Sequence, residues 1–253
     1  RVDAKPATRT VFARVRKHLI EYFGADRRID TIGKGDADAW RLFLVSRKLA
    51  DNTVRRHCGV AKQFFKAAVR RELIPSNPFA DLVSVVRGSD ERRRYFVTRE
   101  DIEAVLDAAP DPEWKAMIAL ARFGGLRCPS EILSLRWDDV DFHRGRIRVR
   151  SPKTEHYEGR GVRVVPLFPE LEPYLLEAYT AAAEGAQYVV TRYRNPAANL
   201  RTRFERIIER AGLVPWPKPW HNMRASRQTE LARDFPLHVV CAWIGNSRAI
   251  AQE

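Results

Sequence analysis

The sequence has 253 residues, 45% of them hydrophobic, with no apolar run approaching the length of a membrane span, so it reads as soluble and globular with room for two modest domains. Its 45 Lys and Arg against 32 Asp and Glu leave a net charge of +13, with arginine preferred. Such an excess attracts a polyanion, and the planar guanidinium fork suits phosphate oxygens, so nucleic acid is the first candidate partner and a membrane is not expected as one.

Cys58, Cys128 and Cys241 lie far apart, an odd set without metal-ligand spacing. They argue for a reducing, cytoplasmic compartment and against structural zinc, and each reads as a small buried apolar side chain. No signal-like segment opens the chain, and it does not begin with Met, which leads us to expect a piece of something longer.

The first third is helical. Phe12, Val15, Leu19 and Phe23 recur at helical steps and Gly24 is a stop; a second helix carries Trp40, Phe43 and Leu44. Asn52 is placed to cap a third, whose stripe of Val54, Ala61, Phe64, Phe65 and Ala68 ends before the two prolines of "IPSNPF". The other face of that helix carries Arg55, Arg56, Lys62, Lys66, Arg70 and Arg71, either a solvated surface or one that contacts phosphates. Residues 84–95, "SVVRGSDERRRY", have the composition of an exposed linker and include Arg92, Arg93 and Arg94. Residues 1–83 are thus expected to form a helical DNA-binding domain, 84–95 a basic linker and 96–253 a second domain.

That second domain opens with Thr98 and Asp101 in a capping-box spacing. Helices are expected near 99–108, 112–123 and 130–136. "RIRVR" (146–150) and "VRVVPL" (162–167) predict two antiparallel strands, and helical patterns return near 170–184, 199–211, 221–234 and 237–244. The fold class expected is mainly α with a small antiparallel β-sheet, an α+β arrangement.

His221 and Arg224 in "HNMRASRQTELA" stand three apart and project together from a helix. Arginine is no metal ligand and its charge opposes a cation, while neither an acidic orienter nor a nucleophile elbow is evident for a hydrolytic triad. A cation beside a proton-transfer group suits a phosphodiester in transit. Arg127 follows two glycines in "GGLRCPSEILSLRWDDVD", and Lys153 sits between the two strands in "SPKTEHYEGRG".

These segments, with "VVCAWIGNS" after them and a basic helical domain before them, resemble the tyrosine recombinase or phage integrase family along most of the chain. The resemblance implies that Arg127 and Arg224 clamp a scissile phosphate, Lys153 protonates the leaving 5′ oxygen, His221 assists deprotonation of a tyrosine, and Glu131 braces the site. It further implies double-stranded DNA as partner, a tetrameric synapse on that DNA, no cofactor and no metal. The net charge favours the phosphate-contacting reading, so Arg55, Arg56, Lys62, Lys66, Arg70, Arg92, Arg93 and Arg94 are candidate DNA contacts, and the two domains are expected to close around the duplex.

Three departures from the family pattern stand out. Glu131 follows Arg127 by four residues rather than three, with Pro129 between. Asn246 replaces the family's His or Trp, for which a positioning role is expected. No tyrosine follows the His-x-x-Arg box: Tyr174, Tyr179, Tyr188 and Tyr193 all precede it. The nucleophile is therefore expected beyond Glu253, and the sequence as printed is expected to bind DNA without cleaving it. A non-catalytic DNA-binding protein on the same fold and a type IB topoisomerase-like enzyme are the alternatives. His238 reads as a packed or capping side chain, and Trp137, Trp220 and Trp243 as packing residues.

Overall fold

α1 (Pro6–Phe23) begins on proline, whose missing N–H is harmless in a first turn, and aligns Val11, Phe12, Val15, Leu19 and Phe23 toward the core. Gly24 ends it at φ +85°, its N–H returning to the carbonyl of Ile20 at 2.8 Å. α2 (Lys34–Ser46) buries Ala37, Trp40 and Leu44, and α3 (Asp51–Arg70) buries Val54, Cys58, Ala61 and Phe65. In the computed structural model, which describes residues 4–86, 91–151, 161–195 and 198–247, these helices form the first of two compact units, Arg1–Ser89 and Asp90–Glu253. Asn52 does not cap α3: Ala50 takes that position without a side-chain bond, and Asp51 supplies negative charge to the first turn. Beyond α3, Phe79 packs at a tilt against Phe65 and meets Trp40 edge-on, while Asn77 bonds the carbonyl of Lys62 at 3.0 Å and so ties the "IPSNPF" turn back to the helix.

The second unit contains α4 (Arg99–Asp107), α5 (Pro112–Arg122), β1 (Val140–Asp141), β2 (Arg146–Arg150), β3 (Val162–Pro166), α6 (Glu172–Thr180), α7 (Leu200–Arg210), α8 (Pro219–Asp234) and α9 (Leu237–Ile244). The described residues are mainly helical with one three-stranded antiparallel sheet, ordered β1-β2-β3. Side chains cap several of these helices. Thr98 accepts from the N–H of Asp101 at 3.1 Å while Asp101 accepts from the N–H of Thr98 at 3.3 Å; Asp111 and Asn199 open α5 and α7 by accepting from the N–H of Trp114 and of Thr202. No helix of the described residues is long and apolar enough to cross a membrane.

The helix expected near 130–136 is absent. Residues 128–134 form successive turns. Pro129 has no N–H to donate, Glu131 captures the backbone N–H of Arg127, and the segment's end pairs elsewhere, with Trp137 donating to Gln187 and Val189 donating to Leu135, both at 3.1 Å. Those tertiary partners outweigh a local helical pattern.

α5 is the buried axis of the second unit, with every residue from Ala116 to Arg122 buried. Arg122 closes it as a charge in the interior, its two terminal nitrogens bound by Glu230 of α8 and by the carbonyl of Val97 at 2.9 Å. Val97 in turn donates to Ser226 of α8 at 2.8 Å, so the start of the unit, α5 and α8 are locked together. Trp220 stacks on Phe204, Trp243 meets Phe168 and Phe235, and Trp137 meets Tyr179, all as packing contacts. His238 is exposed on α9 rather than packed. Removing one partner of a buried pair leaves the other charge stranded, so Glu230→Ala is expected to cost about 3–5 kcal/mol. Urea unfolding of the second unit checks this, and a loss below about 1 kcal/mol, the usual worth of an exposed pair, counts against it.

Candidate active site

A carboxylate with almost no contact with water organises the site. Glu131, 1% exposed, sits in the turns after α5 and receives donors from three elements. Arg127 binds it through both its backbone N–H, at 2.9 Å, and its guanidinium. Arg163 of β3 forks across both carboxylate oxygens at 2.8 and 2.6 Å, and the Ser151 hydroxyl donates at 3.0 Å. Arg224 of α8 stands 3.8 Å from the same carboxylate. Burial alone would raise the Glu131 pKa; hydrogen bonds from Arg163 and the charges of Arg163 and Arg127 outweigh it and hold it down at about 2.

The same three arginines also meet the end of α9. Arg163 Nε donates to the carbonyl of Trp243 at 2.7 Å, Arg224 donates to that of Ile244, and Arg127 donates to that of Gly245. Helix ends leave such carbonyls without partners and carry partial negative charge, so cations are favoured there. Arg224 bonds the carbonyl of Gly125 as well. The backbone can approach this closely because Gly125 (φ +64°) and Gly245 (φ +75°) occupy the left-handed region without a side chain. A Cβ at 245 would lie 3.1 Å from Arg163 Cδ, and one at 125 would collide with Ile244.

The structure thus brings Arg127, Arg224 and Glu131 together, and places Asn246 directly after Gly245. Asn246 Nδ2 donates to Gln228 at 2.6 Å, while its Oδ1 is buried without a protein partner. His221 lies one turn before Arg224, exposed at the edge of the site. Partial enclosure of its ring, then the charges of Lys218 and Arg224, lower its pKa, so it is neutral at pH 7. Burial, then Arg127, lowers Arg224 to about 9, which still leaves it cationic. Lys153 lies outside the described residues.

Sequence reasoning missed Arg163 and Ser151. The inner face of the sheet holds Ile147 and Val149 of β2 opposite Val165 and Arg163 of β3, while Val162 and Val164 face solvent at 50% and 53% exposure. In "VRVVPL" apolar residues stand at both parities, so alternation alone would have turned Arg163 outward.

Of the candidate DNA contacts, Arg56, Lys66 and Arg70 are exposed and Lys62 is half-buried on α3. Lys62, Lys66 and Arg70 follow at steps of four along one face. Arg55 is committed within its own unit, bonding Asp51 at 2.7 Å and the carbonyl of Val85 at 3.2 Å. Arg92, Arg93 and Arg94 are exposed in the second unit, Arg94 3.9 Å from Glu91.

The profile of the phage integrase family matches residues 95–248, and that of the phage integrase SAM-like domain matches residues 2–85. The chain belongs to the phage integrase family. Membership makes it a tyrosine recombinase, and its function that of a site-specific recombinase. It is 26% identical over 294 residues to a tyrosine recombinase XerC-like protein of Caldanaerobacter subterraneus subsp. tengcongensis, covering 98% of this chain and 73% of that relative. Its fold matches that of the Tn1549 transposon integrase in complex with transposon right end DNA, at TM-score 0.79 and 21% identity over 98% of this chain and 89% of that one. A lambda integrase dimer bound to a COC′ core site matches at TM-score 0.76 and 16% identity, over 96% of this chain and 89% of that one.

Because folding lowers the Glu131 pKa from an ordinary 4.5 to about 2, the stability it contributes is complete above about pH 4.5 and is lost as pH falls toward 2. The stability difference between the native chain and Glu131→Gln should therefore be largest above about pH 4.5 and shrink between about pH 4.5 and 2. Urea unfolding at several pH values measures it; a difference that stays constant across that window contradicts the assigned ion pairs.

Proposed function

We propose that this integrase breaks and rejoins double-stranded DNA through a 3′-phosphotyrosine intermediate, with Arg127 and Arg224 clamping the scissile phosphate. The observation that carries this reading is the gathering of both guanidiniums beside one buried carboxylate at the end of α9. Three arginines against one carboxylate leave a cationic excess (three minus one) that a phosphate can neutralise. Donors fixed before the reaction stabilise charge as it develops on the phosphorus oxygens, without the cost of reorienting water.

In this reading a tyrosine hydroxyl attacks phosphorus. The phosphorus–tyrosyl oxygen bond forms and the phosphorus–O5′ bond breaks. The hydroxyl proton passes to neutral His221, and the leaving 5′ oxygen takes a proton from Lys153. A 5′-hydroxyl from the exchanging strand then attacks the phosphotyrosine: a phosphorus–O5′ bond forms as the phosphorus–tyrosyl bond breaks, the hydroxyl proton returns to Lys153, and the tyrosine recovers its proton from His221. Each step replaces one ester with another, so no nucleotide is consumed. Asn246 positions an oxygen or a neighbouring side chain rather than acting as an acid.

The exposed cations of α3 and Arg92, Arg93 and Arg94 contact the duplex backbone, and four copies assemble to exchange strands. We place the nucleophilic tyrosine outside the printed residues, where this segment alone binds DNA without cutting it. A non-catalytic DNA-binding role remains the contrasting reading, and covalent capture separates the two.

In the full-length natural protein, Arg127→Ala or Arg224→Ala is expected to lower formation of the covalent adduct on a nicked suicide substrate by about 100–1,000-fold, as for loss of one preorganised donor. Affinity for the same DNA should change little. Adduct yields equal to those of the native protein refute the clamp.

A further inference from the structure

β3 places a charged side chain where its pattern would accept a valine. Turning the strand over would bury Val162 and Val164 and expose Arg163 together with Val165; as folded, Val165 is fully buried, Val162 and Val164 are half in water and Arg163 is 9% exposed. Arg163 makes four contacts there: both oxygens of Glu131 at 2.8 and 2.6 Å, the Ser151 hydroxyl at 2.6 Å and the Trp243 carbonyl at 2.7 Å. Its fork is therefore anchored on three elements and spans both oxygens of the Glu131 carboxylate. Glu131 in turn holds Arg127 by its backbone and its side chain, and lies 3.8 Å from Arg224.

We propose that Arg163 is a positioning residue for strand cleavage: by orienting Glu131 it sets Arg127 and Arg224 in the geometry that receives the scissile phosphate, without touching DNA itself. The proposal rests on the recombinase reading above. Lysine cannot replace it fully, because one ammonium cannot span two carboxylate oxygens in parallel while also reaching the Ser151 hydroxyl and the end of α9. Losing this brace lets the guanidiniums drift, and a displacement of about 1 Å at a reacting centre is worth about 100-fold in rate.

The test uses the full-length protein, with Arg163→Gln and Arg163→Lys compared with the native form in single-turnover cleavage at saturating protein. DNA affinity and thermal unfolding are measured alongside. Two substrates are used: an ordinary phosphodiester and a methylphosphonate at the scissile position, whose lost oxygen charge reduces the demand for paired guanidiniums. Arg163→Gln should cleave the phosphodiester about 100-fold more slowly, with DNA affinity within about threefold of native. Arg163→Lys should fall between the two, and the Gln defect should shrink at least severalfold on the methylphosphonate.

A purely structural defect lowers the active fraction equally on both substrates, so equal losses overturn the proposal, as does native-like cleavage by Arg163→Gln. Should the Gln variant fail to fold, the Lys variant decides by the same ratio. A native protein that forms no adduct on the phosphodiester overturns the recombinase reading itself, which is a distinct result.

Discussion

The candidate site is organised around the burial of one negative charge, that of Glu131. A carboxylate removed from water is tolerable only when donors and opposite charges replace its hydration, and Glu131 obtains them from its own turn, from β3 and from α8. Those three contributors are distant in sequence, so their meeting is a statement about the tertiary fold. The sheet must bring β3 inward, α8 must lie against α5, and the chain after α5 must turn back on itself. Arg122 with Glu230, and Ser226 with Val97, hold α8 in that position.

The end of α9 belongs to the same arrangement. Three consecutive carbonyls, of Trp243, Ile244 and Gly245, each receive one of the three arginines. The guanidiniums that would meet a phosphate are thereby fixed to the helix that immediately precedes Asn246. The geometry of the three guanidiniums and that of the chain leaving α9 are coupled through charge-assisted bonds rather than through loop packing. Gly125 and Gly245 make the coupling possible, since a side chain at either would push the backbone away from an arginine or from Ile244.

Much of this was legible in the sequence. Helical periodicity and caps located the helices of both units closely, with Thr98 and Asp101 forming the expected box. The two long strands pair antiparallel as their β-branched composition indicated. Family resemblance brought Arg127, Glu131, His221, Arg224 and Asn246 into view. Three features stayed hidden for physical reasons. Residues 128–134 look helical by pattern, but their backbone bonds close only turns, with Glu131 and Ile132 both donating to Arg127 and Leu133 to Pro129, and the chain just beyond them pairs with residues 187–189. Asn52 has cap chemistry, but the helix starts before it. Arg163 is invisible to alternation because valines flank it on both faces, and the force that draws it inward comes from Glu131, 32 residues away.

The most direct measurement of the central claim is a crystal structure of the chain bound to a duplex containing its scissile phosphate. The account predicts both guanidiniums, of Arg127 and Arg224, on non-bridging oxygens of that one phosphate, with the Glu131 carboxylate still beneath them and Arg163 still across it. Guanidiniums that reach different phosphates, or a Glu131 that has left its arginines, would contradict it.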